Sequence, residues 1–124
     1  MGTTSTLATR TARLSRQDGR VVCEHLLVAA RPLRRMRGLL GRSDLPHSEG
    51  ILLRPAGSIH TFFMRFAIDA VFLDRDLVVV GIEPSLGPWR TAKRRGAKSV
   101  VELASGECKR RGLEVGDALA VSTS

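Results

Sequence analysis

Between Ala12 and Val121 the chain is built from short, largely apolar runs, none much longer than about eight residues, separated by stretches that carry Gly, Pro, Asp or charged residues. Runs of that length leave little room for helices. The expected strands are Ala12 to Arg16, Val21 to Val28, Gly50 to Leu53, Ser58 to Met64, Ile68 to Leu73, Leu77 to Glu83, Ser99 to Leu103, Cys108 to Arg111 and Ala118 to Val121. Asp18-Gly19 and Asp74-Arg75-Asp76 link neighbouring runs as hairpin turns, since Gly accepts a positive φ and Asp bonds its own backbone. Unpaired edges on so many short strands would invite aggregation, so the expected fold is mainly β, a small antiparallel β-barrel or jelly-roll-like sandwich. The Pro- and Gly-rich stretch Pro84 to Gly96 reads as irregular.

The period changes once. Leu33, Met36 and Leu40 recur at helical spacing between Arg31 and Gly41, with Pro32 near the start and Gly41 at the stop, which predicts one short amphipathic helix. Residues 1–10 are small and hydroxylated and are expected to be a loose tail, leaving 11–124 as a single domain. A chain of 124 residues has room for one modest core. Its longest apolar stretch, Leu77 to Ile82, is far short of the roughly 20 residues that cross a bilayer, so no membrane partner is expected. With no apolar export segment near the start, the expected compartment is the cytoplasm. Cys23 and Cys108 are far apart and form no CxxC pair, so they read as two small apolar side chains rather than a disulfide framework.

Potential chemistry concentrates in Ser58 to Asp69, where His60, Thr61, Arg65 and Asp69 stand among large apolar groups. Desolvation there could tune an imidazole or a carboxylate. The plainer account is a buried Asp that accepts backbone N–H bonds and a satisfied histidine. Glu102, within Val100 to Leu103, is a second carboxylate for an acid/base pair. No two of His25, His47, His60 and Cys23 have the spacing of zinc ligands, so no metal or other cofactor is implied. Cationic side chains cluster twice. Arg31, Arg34 and Arg35, with Arg37 and Arg42, form one acid-free group; Arg90, Lys93, Arg94, Arg95 and Lys98 follow Trp89 directly. An aromatic ring beside guanidinium and ammonium groups suits single-stranded nucleic acid, and a solvated loop is its plainer account.

Arg37-Gly-Leu-Leu-Gly-Arg42, Gly50-Ile-Leu-Leu53, Ile68-Asp-Ala-Val-Phe-Leu-Asp74 and Val101-Glu-Leu-Ala-Ser-Gly106, followed by Gly112 and Gly116-Asp117, together resemble the prokaryotic domain-of-unknown-function family 192. The resemblance spans about Leu14 to Val121. It implies a compact, mostly β domain of jelly-roll-like topology and no particular activity, cofactor or partner. The family pattern carries Phe-Trp-Met where this chain has Ile59-His60-Thr61, a Thr where it has Met64, and a Pro where it has Ala67. Many relatives also begin with an export signal.

Three functions follow as expectations. The first is a non-catalytic β domain binding a small molecule or protein partner around His60, Thr61, Arg65 and Asp69, closed by the Trp89 loop. The second is weak nucleic-acid binding through Arg31, Arg34, Arg35, Arg90, Lys93, Arg94 and Arg95. The third is an undescribed hydrolase or lyase using His60 with Asp69 or Glu102.

Overall fold

The computed structural model describes residues 11–29, 44–62 and 64–123. In chain order these form β1 (Thr11–Arg16), β2 (Val21–Ala29), β3 (Glu49–Leu53), β4 (Ser58–His60), β5 (Ile68–Leu73), β6 (Val79–Leu86), β7 (Thr91–Lys93), β8 (Ser99–Ala104), α1 (Glu107–Arg110) and β9 (Leu119–Thr123). The tail expected over 1–10 and the helix expected over 31–41, with Arg31, Arg34 and Arg35, lie outside the described residues.

Seven strands make one sheet in the order β6-β5-β8-β3-β2-β1-β9. The mainly β, wrapped fold is therefore present. The sheet curls until its two edges touch, where Val78 bridges Ala118. There the Leu119 N–H donates to Leu77 O at 2.9 Å and the Val79 N–H to Asp117 O at 2.9 Å. All pairs in the sheet are antiparallel except β2 with β3, which run parallel from His25 opposite Glu49 to Ala29 opposite Leu53. A parallel neighbour needs a long return connection, and residues 30–48 supply it.

The buried side chains form two layers. Leu14, Leu26, Leu52, Val71, Val101 and Leu103 fill the inside of the curled sheet. Ile51, Leu53, Ile68, Phe72 and Val100 point to the other face, where Ile59, Met64 and Leu86 cover them. Consequently β5 and β8 are buried at every position, which is why their sequences are near-continuous apolar runs rather than alternating ones.

Three local expectations are corrected. The Ser58 to Met64 strand stops at His60. The stretch Pro84 to Gly96 is not irregular throughout, because β6 continues to Leu86 and β7 occupies Thr91–Lys93. Strand β6 passes Pro84 by carrying an extra residue opposite β5, the register jumping from Ile68↔Leu86 to Ala70↔Glu83, so the missing N–H costs no ladder bond. Finally, Cys108 to Arg111 is not extended. Glu107–Arg110 is a helical turn, with Gly106 at φ +90° before it, an acid in its first turn and bases in its last, as the helix dipole favours.

Candidate functional site

Strands β4 and β7 form a two-stranded ribbon, separate from the main sheet, pairing Ser58 with Lys93, Ile59 with Ala92 and His60 with Thr91. Alternation turns Ile59 and Ala92 inward against the outer layer of the core. It turns Ser58, His60, Thr91 and Lys93 outward. Thr61 then clamps the end of the ribbon. Its N–H donates to Arg90 O (2.8 Å), its carbonyl accepts from the Trp89 N–H (3.0 Å), and its hydroxyl donates to Gly87 O (2.6 Å) while accepting from the Arg90 N–H (2.9 Å). The clamp holds Trp89 at φ +63°, a conformation that a tryptophan adopts only when its surroundings impose it.

The result is a run of three rings on the outside of the molecule. His60 and Phe62 have centroids 4.7 Å apart, and Phe62 stacks on Trp89 at 5.6 Å with 26° between planes. The His60 Nδ1 accepts from the Phe62 N–H at 3.4 Å. Trp89 remains 59% exposed, although it is the only tryptophan in a chain with no tyrosine. Arg65, Arg90, Lys93 and Arg95 are exposed nearby in sequence. Phe62 is not among the residues the sequence singles out, because an aromatic ring within an apolar stretch reads there as core.

The polar residues expected here divide into supports and surface groups. Thr61 is fully buried in the clamp. Asp69, 1% exposed, lies on the inner face of β5 and receives backbone N–H bonds from Ser85 (2.9 Å) and Gly106 (3.1 Å) on Oδ1 and from Cys108 (2.9 Å) on Oδ2. Glu102 is buried on the outer face of β8, opposite Ile51 and Ala70. His60 faces out from the ribbon, so the fold does not bring it to Asp69.

Arg94 also serves packing. Its guanidinium lies over the Phe72 ring, 5.3 Å from the centroid, and donates to Ile82 O (3.3 Å) and Glu83 Oε1 (3.1 Å). Gly81 makes room for it, since a Cβ there would stand 2.6 Å from the Arg94 side chain.

A second polar cluster escaped the sequence reading. Buried Glu107 accepts from Arg110 (2.6 and 2.8 Å) and Arg111 (2.9 Å) and bonds His47 Nδ1 (2.8 Å). Burial pushes its carboxyl pKa up, but these hydrogen bonds outweigh burial and lower it to about 2. Arg111 continues to Glu24 (3.0 Å) and to Val21 O (3.1 Å), tying α1 to β2. On another side, at the barrel seam, Arg16, Gln17, Asp18, Gly116, Asp117 and Ala118 line an open cleft of about 190 Å³. Among the described residues no group of three or more His, Cys, Asp or Glu could hold a metal ion, and no helix is long and apolar enough to cross a membrane.

The comparisons place the chain in a family and a fold. The model of domain-of-unknown-function family 192, described as Uncharacterized ACR, matches residues 13–121. This chain belongs to that family. Its family 192 relatives include a UPF0127 protein of Thermococcus sibiricus, 30% identical over 109 residues, covering 84% of this chain and 70% of that protein. A UPF0127 protein of Pyrococcus furiosus is 43% identical over 63 residues, 50% of this chain and 53% of the relative. Two solved structures share the fold. One, from Sinorhizobium meliloti and described as a "putative transcription regulator", has a TM-score of 0.80 at 23% identity, covering 96% of this chain and 98% of its own. The other, a protein of unknown function from Novosphingobium aromaticivorans, has a TM-score of 0.74 at 19% identity, covering 97% and 99%. At those identities the likeness concerns fold alone.

Proposed function

We propose that this family 192 domain is a non-catalytic binding module that holds a small molecule or partner by a flat, unsaturated group laid on the His60, Phe62 and Trp89 rings. Thr61 holds that face from beneath, Asp69 fixes the backbone of the adjoining core, and Arg65 is exposed five residues along the chain from His60. The observation that carries the reading is the exposed Trp89 ring, stacked on Phe62 yet 59% open to water on a backbone fixed by four hydrogen bonds around Thr61. Leaving so large an apolar ring in water while fixing its direction is a cost that a ligand's stacking face would offset. Asp69 supports a binding role over a hydrolytic one, because both its oxygens already accept backbone N–H bonds.

Because Trp89 is the sole tryptophan, intrinsic fluorescence reports this face alone. Titration with a panel of planar aromatic acids, flavins and nucleosides should give saturable quenching for at least one member. Calorimetry should show that Phe62→Ser or Trp89→Gly weakens the same ligand by about tenfold or more, as loss of a stacking partner does. Quenching by no member, or affinity unchanged in both variants, would overturn the reading.

A further inference from the structure

Resting on that reading, we infer that the flat group is a base of an unpaired nucleic acid strand, whose phosphates run along the cationic border of the ribbon. The decisive feature is where the fold puts its charge. The two segments brought together by β4 and β7, residues 54–66 and 87–98, contain seven Arg or Lys and no Asp or Glu, in a chain whose whole net charge is +8. The remainder of the chain is therefore nearly balanced. Of the seven, Arg94 is spent on Glu83 and Phe72. The other six, Arg54, Arg65, Arg90, Lys93, Arg95 and Lys98, are exposed, and none forms an ion pair among the described residues.

Concentrated positive charge attracts any polyanion, but the rings narrow the choice. A double helix offers only base edges and phosphates, whereas an unpaired strand offers base faces that stack on aromatic side chains. A platform of stacked rings with an acid-free cationic border matches the second. Phosphate contact supplies salt-dependent affinity, and stacking supplies a component that salt leaves alone.

The test uses the full chain and fluorescein-labelled oligothymidylate and oligouridylate of roughly twelve nucleotides, within the usual site size of small β domains. Anisotropy should show binding at low ionic strength, with log affinity falling linearly in log salt. Lys93→Ala with Arg95→Ala should reduce the magnitude of that slope by about 1.4. Arg13→Ala with Arg20→Ala, on and beside β1, should leave it unchanged. Trp89→Gly, which suits φ +63°, should weaken binding by about tenfold at every salt concentration with little change of slope. A duplex of the same length should bind more weakly and leave Trp89 fluorescence unquenched.

No anisotropy change at low salt would overturn the inference, as would equal slopes for the two double variants, or duplex binding as tight as single-strand binding and indifferent to Trp89→Gly. If planar small molecules still quench Trp89 in those cases, the platform reading stands and only the strand assignment falls. If they do not, both fall.

Discussion

Asp69 uses a charge to hold backbone rather than to react. Three N–H groups from two segments, Ser85 on β6 and Gly106 and Cys108 at the start of α1, converge on its two oxygens inside the sheet. An amide in its place must turn a donor toward at least one of them. Asp69→Asn should therefore lower stability by about 1–3 kcal/mol, the cost of a buried donor left without its acceptor, read as a shifted urea midpoint at constant m. An unchanged midpoint would show that the three bonds carry no net weight. Gly81 makes the same point about space. Its missing side chain admits Arg94 over Phe72, so Gly81→Ala should displace that guanidinium and cost about 1–3 kcal/mol in the same measurement. Both Asp69 and Thr61 were visible in the sequence as polar residues in an apolar setting. What they bind was not, because their partners are backbone groups 16 to 39 positions away whose approach depends on the finished fold.

At the scale of elements, legibility follows how far each signal is local. Strand β5 is legible to its last residue because a run between Ala67 and Asp74 that is apolar at every position but Asp69 has one reading in a sheet. The ribbon was half hidden, since β7 is three residues long amid cationic residues and only its pairing with β4 makes it a strand. Helix α1 was missed because four residues cannot show a helical period. It is fixed from outside, by His47 bonding Glu107 and by Arg111 reaching from Glu107 to Glu24 and Val21 O. That arrangement has a definite pH signature. The folded carboxyl titrates near pH 2 against an ordinary value of 4.5, so the unfolded chain binds the proton more readily and stability is lost as pH falls from about 4.5 toward 2. Glu107→Gln should lower the melting temperature at neutral pH, and the gap to the parent protein should close on acidification through that window. A gap constant down to pH 2 would mean that the ion pairs contribute nothing and that shape alone positions α1.

For the whole molecule, the wrapped sheet was legible from run length and turn spacing, whereas its one parallel pair was not, because β2 and β3 are joined through residues 30–48 and no local turn announces their direction. Closure at Val78 and Ala118 seals the inner layer, and both thiols lie within it. Burial pushes the Cys23 pKa up to about 12, and burial together with the adjacent Asp69 carboxylate raises that of Cys108 further. A thiol held protonated and out of reach of solvent reacts only when the structure opens. With an aromatic disulfide reagent at mildly alkaline pH, neither cysteine should react on the time scale of an unfolded control, and the slow rate that remains should rise with urea in step with global unfolding. Because the two cysteines sit on different elements, β2 and α1, the experiment also tests whether the barrel opens as one unit. Equal rates for Cys23→Ala and Cys108→Ala variants of matched stability would mean that it does. A Cys108 that reacts well before Cys23 would instead place α1 among the parts that detach first, leaving the curled sheet intact behind it.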